Sequence, residues 1–87
     1  MRLNQLQYLV ALERHGTFSK AAQALYVSQP SISVGIKELE EELGYPLLNR
    51  NNKGFQFTAE GTKVLEKAHL ILHEVESIQR LERAEAE

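Results

Sequence analysis

Apolar residues recur at helical spacing in four stretches of the chain, while a fifth stretch alternates like a strand. The helical stretches lie at about residues 3–14, 19–25, 29–43 and from 59 onward. Spacings of three and four residues between apolar positions predict amphipathic helices. Residues 47–58 change period. The pattern therefore predicts three helices, a short β-hairpin and a fourth, longer helix, which makes a mainly α fold.

Capping residues define the ends of the second and third predicted helices. Ser19 and Ser28 are cap candidates, because a serine hydroxyl can accept from a free amide of the first helical turn. Pro30 fits the first turn of the third helix, where no intrahelical partner for its missing N–H exists. Gly16 and Gly44 follow the first and third helices, as expected at helix ends. The second and third helices thus form a helix-turn-helix.

The outward face of the third helix differs from an ordinary solvent-exposed face. It carries Pro30, Ser33, Val34 and Lys37 near its start, while four glutamates lie at its far end. A helix that enters the major groove with its amino end first favours this polarity, because its dipole attracts phosphate there. The alternative from periodicity alone is a plain helical hairpin in a small bundle.

Residues 47–58 predict a hairpin, since Phe55 and Phe57 alternate with a polar residue after an Asn-Asn-Lys-Gly turn. A hairpin after a helix-turn-helix is a wing. We expect its tip to carry Arg50, Asn51, Asn52 and Lys53, within reach of phosphate or the minor groove. The alternative is a hairpin that only completes the core.

The last helix predicts a homodimer. It is capped by Thr58 and expected to run to about residue 85, roughly 40 Å, which is too long for this domain to cover. A near-heptad apolar face that extends beyond its own domain needs a second chain. We expect a winged helix-turn-helix over residues 1–58 and a dimerisation helix over 59–87. The predicted interface residues are Val64, Leu65, Ala68, Ile71, Leu72, Val75 and Ile78.

Composition narrows the class of protein. Eighty-seven residues without cysteine suit one small domain with neither disulfides nor thiolate metal sites. No apolar run suits a membrane span, and the start is no signal peptide. The net charge of −2 argues against nucleic acid, but residues 1–58 carry +1 and residues 59–87 carry −3. This distribution modestly favours DNA.

One set of residues on the last helix has metal-ligand spacing. Glu66, His69, His73 and Glu76 follow one another at intervals of 3, 4 and 3. Two histidines four residues apart can chelate a divalent ion. The simpler interpretation is the solvent side of a dimerising helix, and we predict no metal and no cofactor. No phosphate loop or nucleophile elbow is evident, so we predict no enzyme.

The motifs together resemble the amino-terminal segment of LysR-type transcriptional regulators, a large bacterial family. The resemblance rests on LNQLQYLVAL, Gly16-Thr-Phe-Ser-Lys-Ala-Ala, Val27-Ser-Gln-Pro-Ser-Ile-Ser, Leu39-Glu-Glu-Glu-Leu-Gly-Tyr-Pro-Leu-Leu, Arg50 and Phe57-Thr-Ala-Glu-Gly. It implies a winged helix-turn-helix that binds double-stranded DNA in the cytoplasm, and a linker helix that pairs antiparallel in a dimer. Complete members add a domain for a small-molecule co-inducer and often form tetramers, so this chain resembles an excised DNA-binding fragment.

Carried over by position, the resemblance implies a set of DNA contacts. Gln29 can read adenine, Ser33 either kind of base edge, Val34 a thymine methyl, and Lys37 meets phosphate. Where members often carry Arg and Gln, Val34 and Gly35 stand here. The full predicted set is Gln29, Pro30, Ser31, Ser33, Val34, Lys37, Arg50, Asn51, Lys53, Thr17, Ser19 and Lys20. A helical adaptor that uses the same fold to bind protein is the alternative function.

Overall fold

The computed structural model describes residues 1–81 and contains four helices and one hairpin. The elements are α1 (Leu3–His15), α2 (Phe18–Leu25), α3 (Gln29–Leu43), β1 (Leu48–Asn51), β2 (Gly54–Phe57) and α4 (Ala59–Gln79). The two strands pair antiparallel. The predicted mainly α, winged helix-turn-helix order is confirmed.

Helix α1 lies at the centre of the core and packs against α2, α3 and α4. Its inward residues Leu9 and Leu12 are fully buried, as are Ile32, Ile36 and Leu39 of α3. The predicted apolar faces of α1 and α3 thus meet each other. Burial of these side chains is the main force that holds α3 in place.

The cap of α2 is Thr17, and the prediction of Ser19 as that cap was wrong. Thr17 Oγ1 accepts from the backbone N–H of Lys20 at 3.0 Å, so α2 begins at Phe18. The reason is packing, because Phe18 stands edge-to-face with Phe55 of the hairpin at 5.6 Å between ring centroids. Starting the helix two residues earlier turns Phe18 toward that ring.

At the turn between α2 and α3 the predicted positions of Ser28 and Pro30 are confirmed. Tyr26 ends α2 in the left-handed conformation, with φ of 58°, and its side chain is 95 % exposed. Val27 packs against the core from the inside of the corner. Ser28 caps α3, because its hydroxyl accepts from the N–H of Ser31, and Pro30 lies in the first turn.

Two glycines let helices approach their neighbours closely. A Cβ at Gly35 would lie 2.7 Å from Cε2 of Tyr8, so this position of α3 packs directly on α1. A Cβ at Gly61 would lie 3.0 Å from the carbonyl carbon of Leu47 and closer still to its oxygen. These approaches join α3 to α1, and α4 to the base of the hairpin.

Helix α4 ends at Gln79, not at about residue 85 as predicted, and residues 82–87 lie outside the described part. Its 21 residues span about 32 Å. The first half of α4 packs on the rest of the chain, and the described part measures 56 × 26 × 18 Å. None of the helices in this part is long and apolar enough to cross a membrane.

Candidate nucleic-acid interface

The amino-terminal half of α3 presents an exposed face to solvent. Gln29, Pro30, Ser31, Val34 and Lys37 are exposed there. Ser33 lies at the edge of this face that borders the hairpin and is half-buried. The structure therefore brings together on one surface all the residues predicted from α3.

The edge of α3 and the hairpin form an open groove. Its walls come from α3 (Gln29, Pro30 and Ser33) and from the hairpin (Arg50, Asn51 and Gly54), with Phe18 of α2 beside them. None of the residues that line it is acidic. A groove without carboxylates does not repel phosphate, and its exposed amide and hydroxyl groups can donate to phosphate oxygens. Such a surface suits nucleic acid.

Arg50 does not lie at the hairpin tip, and that prediction was wrong. It belongs to β1 and pairs with Phe55 in the register, which places it beside α3. Its Nη1 donates to Ser33 Oγ at 2.8 Å, and its guanidinium lies 4.3 Å from the centroid of the Phe18 ring. Arg50 thus connects the hairpin, α2 and α3 while it remains exposed to solvent.

The tip itself is a tight turn through Asn52 and Lys53. The Oδ1 atom of Asn51 accepts from the backbone N–H of Lys53 at 2.7 Å, which stabilises the turn. Gly54 completes it with φ of 128°, a conformation that favours glycine. Asn51 and Lys53 both remain exposed, and Asn51 also lines the groove.

The start of α2 contributes a second group of exposed polar residues. Thr17, Ser19 and Lys20 are all exposed in its first turn. The amino end of a helix carries free N–H groups and the positive end of its dipole, and it favours phosphate. Thr17 uses its oxygen in the cap but retains its hydroxyl proton for donation.

The glutamates at the carboxyl end of α3 contact other parts of the chain. Glu40 Oε2 accepts from the backbone N–H groups of Leu47 at 2.7 Å and Leu48 at 3.1 Å, which ties α3 to the start of the hairpin. Glu38 pairs with Arg2 at 2.7 Å. The role of Glu40 is not evident from the sequence, because nothing local distinguishes this residue from the glutamates beside it.

Gly35 is not part of the exposed face. It is buried against Tyr8, so this position of α3 faces α1. Its propensity cost of about 1 kcal/mol is offset by the close contact between the two helices. Any base reading on that side of α3 must therefore come from Val34 or Lys37.

The predicted dimer face on α4 divides into two sides. Leu65 and Ala68 are buried against the chain's own core and cannot also be covered by a partner, so their assignment to the interface was wrong. Val64 and Leu72 are half-buried and pack partly on that core. Ile71 and Ile78 are 40 % and 68 % exposed, with half-buried Val75 between them.

One histidine of the candidate metal set has another partner. His69 Nε2 lies 2.7 Å from Glu13 Oε1 of α1, a contact that joins α4 to α1. Within residues 1–81 no group of three or more His, Asp and Glu side chains is arranged to hold a metal ion. The geometry therefore gives His69 a structural partner in α1.

A family comparison identifies this architecture. Residues 3–62 match the model of the bacterial regulatory helix-turn-helix proteins of the lysR family. The chain belongs to the LysR family. This LysR-type chain is a helix-turn-helix DNA-binding domain, which decides against the protein-adaptor alternative.

The LysR-type chain is similar to curated regulators along its whole length. It is 39 % identical over 87 residues to the hydrogen peroxide-inducible genes activator of Pectobacterium carotovorum subsp. carotovorum, and spans 29 % of that protein. It is 38 % identical over 87 residues to the DNA-binding transcriptional dual regulator OxyR of Escherichia coli K12, and spans 28 % of it. The chain thus covers less than a third of these relatives.

Solved structures give the same result. The LysR-type chain superposes on the DNA-binding domain of CbnR in its DNA complex with a TM-score of 0.89, at 38 % identity and 100 % coverage of both chains. The comparison with a full-length OxyR variant from Pseudomonas aeruginosa gives 0.87 at 35 % identity, and covers 97 % of this chain and 28 % of that one. At these sequence identities the structural comparisons support the same family as the sequence comparison.

Proposed function

We propose that this LysR-type chain binds double-stranded DNA with α3 in the major groove and the hairpin on the adjacent backbone or minor groove. The single observation that supports this most is the acid-free groove between α3 and the hairpin, with exposed Gln29 and half-buried Ser33 on its wall. Two similar structures, of CbnR and BenM DNA-binding domains, are DNA complexes.

Within this proposal each exposed residue has a role that follows from its chemistry. Gln29 reads adenine through its amide, Val34 contacts a thymine methyl, and Ser33 bonds a base edge. The backbone contacts are proposed for Pro30, Ser31, Lys37, Asn51, Lys53, Thr17, Ser19 and Lys20, and Arg50 belongs to the same proposed interface through its contact with Ser33. No catalytic role is proposed, and binding to chromosomal DNA implies the cytoplasm.

The salt dependence of binding tests the phosphate contacts. For each cation that neutralises a phosphate, log K should fall with log salt by a slope of about 0.9. Lys53→Ala should weaken all sequences about equally and reduce the slope by about that amount. Lys67→Ala, which removes an exposed cation from α4, is the matched control and should leave the slope unchanged. A salt-independent affinity would contradict the proposal.

We propose further that the chain is a homodimer through the exposed side of α4. Val64, Ile71, Val75 and Ile78 recur at 7, 4 and 3 residues and, with half-buried Leu72 beside them, leave an apolar stripe that the core does not cover fully. In a full-length protein, tetramers and a co-inducer domain outside this chain are part of the same proposal.

The dimer is tested by placing a charge in the stripe. Ile71→Glu should give monomers on sedimentation, because a partner would bury an unpaired carboxylate. Leu70→Glu is the matched control, since Leu70 is 64 % exposed and lies about a quarter-turn away on the same helix. It should leave the dimer intact, and a dimeric Ile71→Glu variant would refute the interface.

A further inference from the structure

Ser33 differs from the other polar residues on the exposed face of α3 because its oxygen already accepts from a cation. Arg50 Nη1 donates to Ser33 Oγ at 2.8 Å. The same guanidinium lies over the Phe18 ring at 4.3 Å. Phe18 in turn packs edge-to-face on Phe55. The guanidinium is therefore held from two sides, by α2 and by α3.

This arrangement has a chemical consequence for the hydroxyl. Serine has one donor proton and two acceptor lone pairs, and it can normally bond either a donor or an acceptor. A hydrogen bond from a guanidinium is charge-assisted and occupies one lone pair of Ser33. It also polarises the O–H group, which strengthens donation and weakens further acceptance. What remains for a ligand is mainly a proton to donate.

We propose that Arg50 is a positioning residue that makes Ser33 a dedicated donor toward DNA, and so gives the chain a preference against cytosine at the base that Ser33 meets. Guanine, adenine and thymine each present an acceptor in the major groove, at N7, O6 or O4, whereas cytosine presents only its amino donor. The inference rests on the proposed function, because it needs α3 in that groove.

The competing role for Arg50 is a direct phosphate contact. Arg50 is exposed and a guanidinium has five N–H donors, so in that role the N–H groups other than the one on Ser33 would donate to phosphate. That role would add one phosphate contact and would have no effect on which base is preferred. The two roles thus predict opposite results for base preference and for the salt slope.

Selection of bound sequences from a random duplex pool separates these roles. We would compare the wild type with Ser33→Ala, Arg50→Met and the double variant, since methionine keeps an unbranched stem over Phe18 without a donor. The wild type should discriminate against cytosine at one position by about two- to tenfold, the range of one neutral hydrogen bond. Ser33→Ala and Arg50→Met should each lose that discrimination, and the double variant should lose no more than Ser33→Ala.

Ser31→Ala serves as the comparison, because the Ser31 hydroxyl pairs with Ser28 at 2.8 Å rather than with Arg50. It should leave the preference at that position unchanged. The inference is overturned if Arg50→Met keeps the discrimination while its salt slope falls by about 0.9. It is also overturned if the wild type accepts cytosine equally, or if the two single effects add.

A measurement without DNA makes failure of this inference distinguishable from failure of the proposed function. In the free protein, NMR should show the Arg50 side-chain protons shifted upfield by the Phe18 ring and its guanidinium restricted in rotation. Ser33→Ala should release that restriction, and Ser31→Ala should not. A freely rotating guanidinium in the wild type refutes the inference whatever the chain binds, whereas absence of binding to any duplex refutes the proposed function.

Discussion

Substitution of Gly61 by alanine should destabilise the chain, although alanine is the better helix former. Gly61 is buried in the first turn of α4, and an added Cβ would lie 3.0 Å from the carbonyl carbon and 3.2 Å from the Cα of Leu47. Carbon atoms pack at about 3.5–4.0 Å and the Leu47 oxygen lies closer to this Cβ than either carbon, so α4 or the backbone at Leu47 must move by about an ångström. Leu47 is itself fully buried and has little freedom to move.

The net change in stability is the sum of two costs and one gain. Overpacking of this kind costs about 1–3 kcal/mol. The shift also strains the cap of α4, in which Thr58 N–H donates to the same Leu47 oxygen at 3.0 Å and Gly61 N–H donates to Thr58 Oγ1 at 2.9 Å, worth about 1 kcal/mol. The gain in helix propensity offsets about 1 kcal/mol. The net loss is about 2 kcal/mol.

Thermal unfolding followed by circular dichroism measures this loss. For a chain of this size, about 2 kcal/mol should lower Tm by about 8–16 °C. Wild type and variant must be compared at equal protein concentration, since dimerisation makes Tm concentration-dependent. Ser77→Ala, at an exposed position of the same helix, is the control and should leave Tm unchanged or raise it slightly. An unchanged or higher Tm for Gly61→Ala would refute the packing argument.

Three further substitutions test local features by the same unfolding assay. Thr17→Ala should cost about 1 kcal/mol because it removes the cap of α2, whereas Ser19→Ala should cost almost nothing; the reverse order would return the cap to Ser19. Glu40→Gln should cost about 1 kcal/mol because two charge-assisted hydrogen bonds become weaker. Glu41→Gln, at an exposed position, should be neutral, and equal effects of the two substitutions would contradict the specific role of Glu40. Tyr26→Gly should raise the free energy of unfolding by about 1 kcal/mol, because glycine accepts φ of 58° without a Cβ clash and the tyrosine side chain is 95 % exposed. A loss of stability would mean that this tyrosine makes a contact that offsets its strain.

Features that depend on a few neighbouring residues were predictable from the sequence. The Ser28 cap, Pro30 in the first turn, the end of α3 at Gly44 and the turn before Gly54 all agree with the structure. Each is decided by the conformational preference of one residue and the hydrogen bonds of one turn. The family resemblance added the winged helix-turn-helix order to this local information, and the comparison with the lysR family confirmed it.

Features decided by contacts distant in sequence were not predictable. Thr17 and Ser19 are equally good cap residues, and only the packing of Phe18 on Phe55 chooses between them. Arg50 stands beside the turn in sequence, yet the strand register places it against α3. On α4, Leu65 shares an apolar stripe with the residues that remain exposed, and only the packing of α4 on α1 separates them.

The contact of Glu40 with the amides of Leu47 and Leu48 has a consequence for redesign of this chain. It connects α3 to the start of the hairpin at the opposite end of the helix from Gln29, in addition to the contact between Ser33 and Arg50. New side chains could therefore be introduced at Gln29 or Val34 while this connection stays in place, whereas a change at Ser33 would also remove the contact with Arg50 of the hairpin. A segment from another regulator that lacks this carboxylate would lose the connection between α3 and the start of the hairpin.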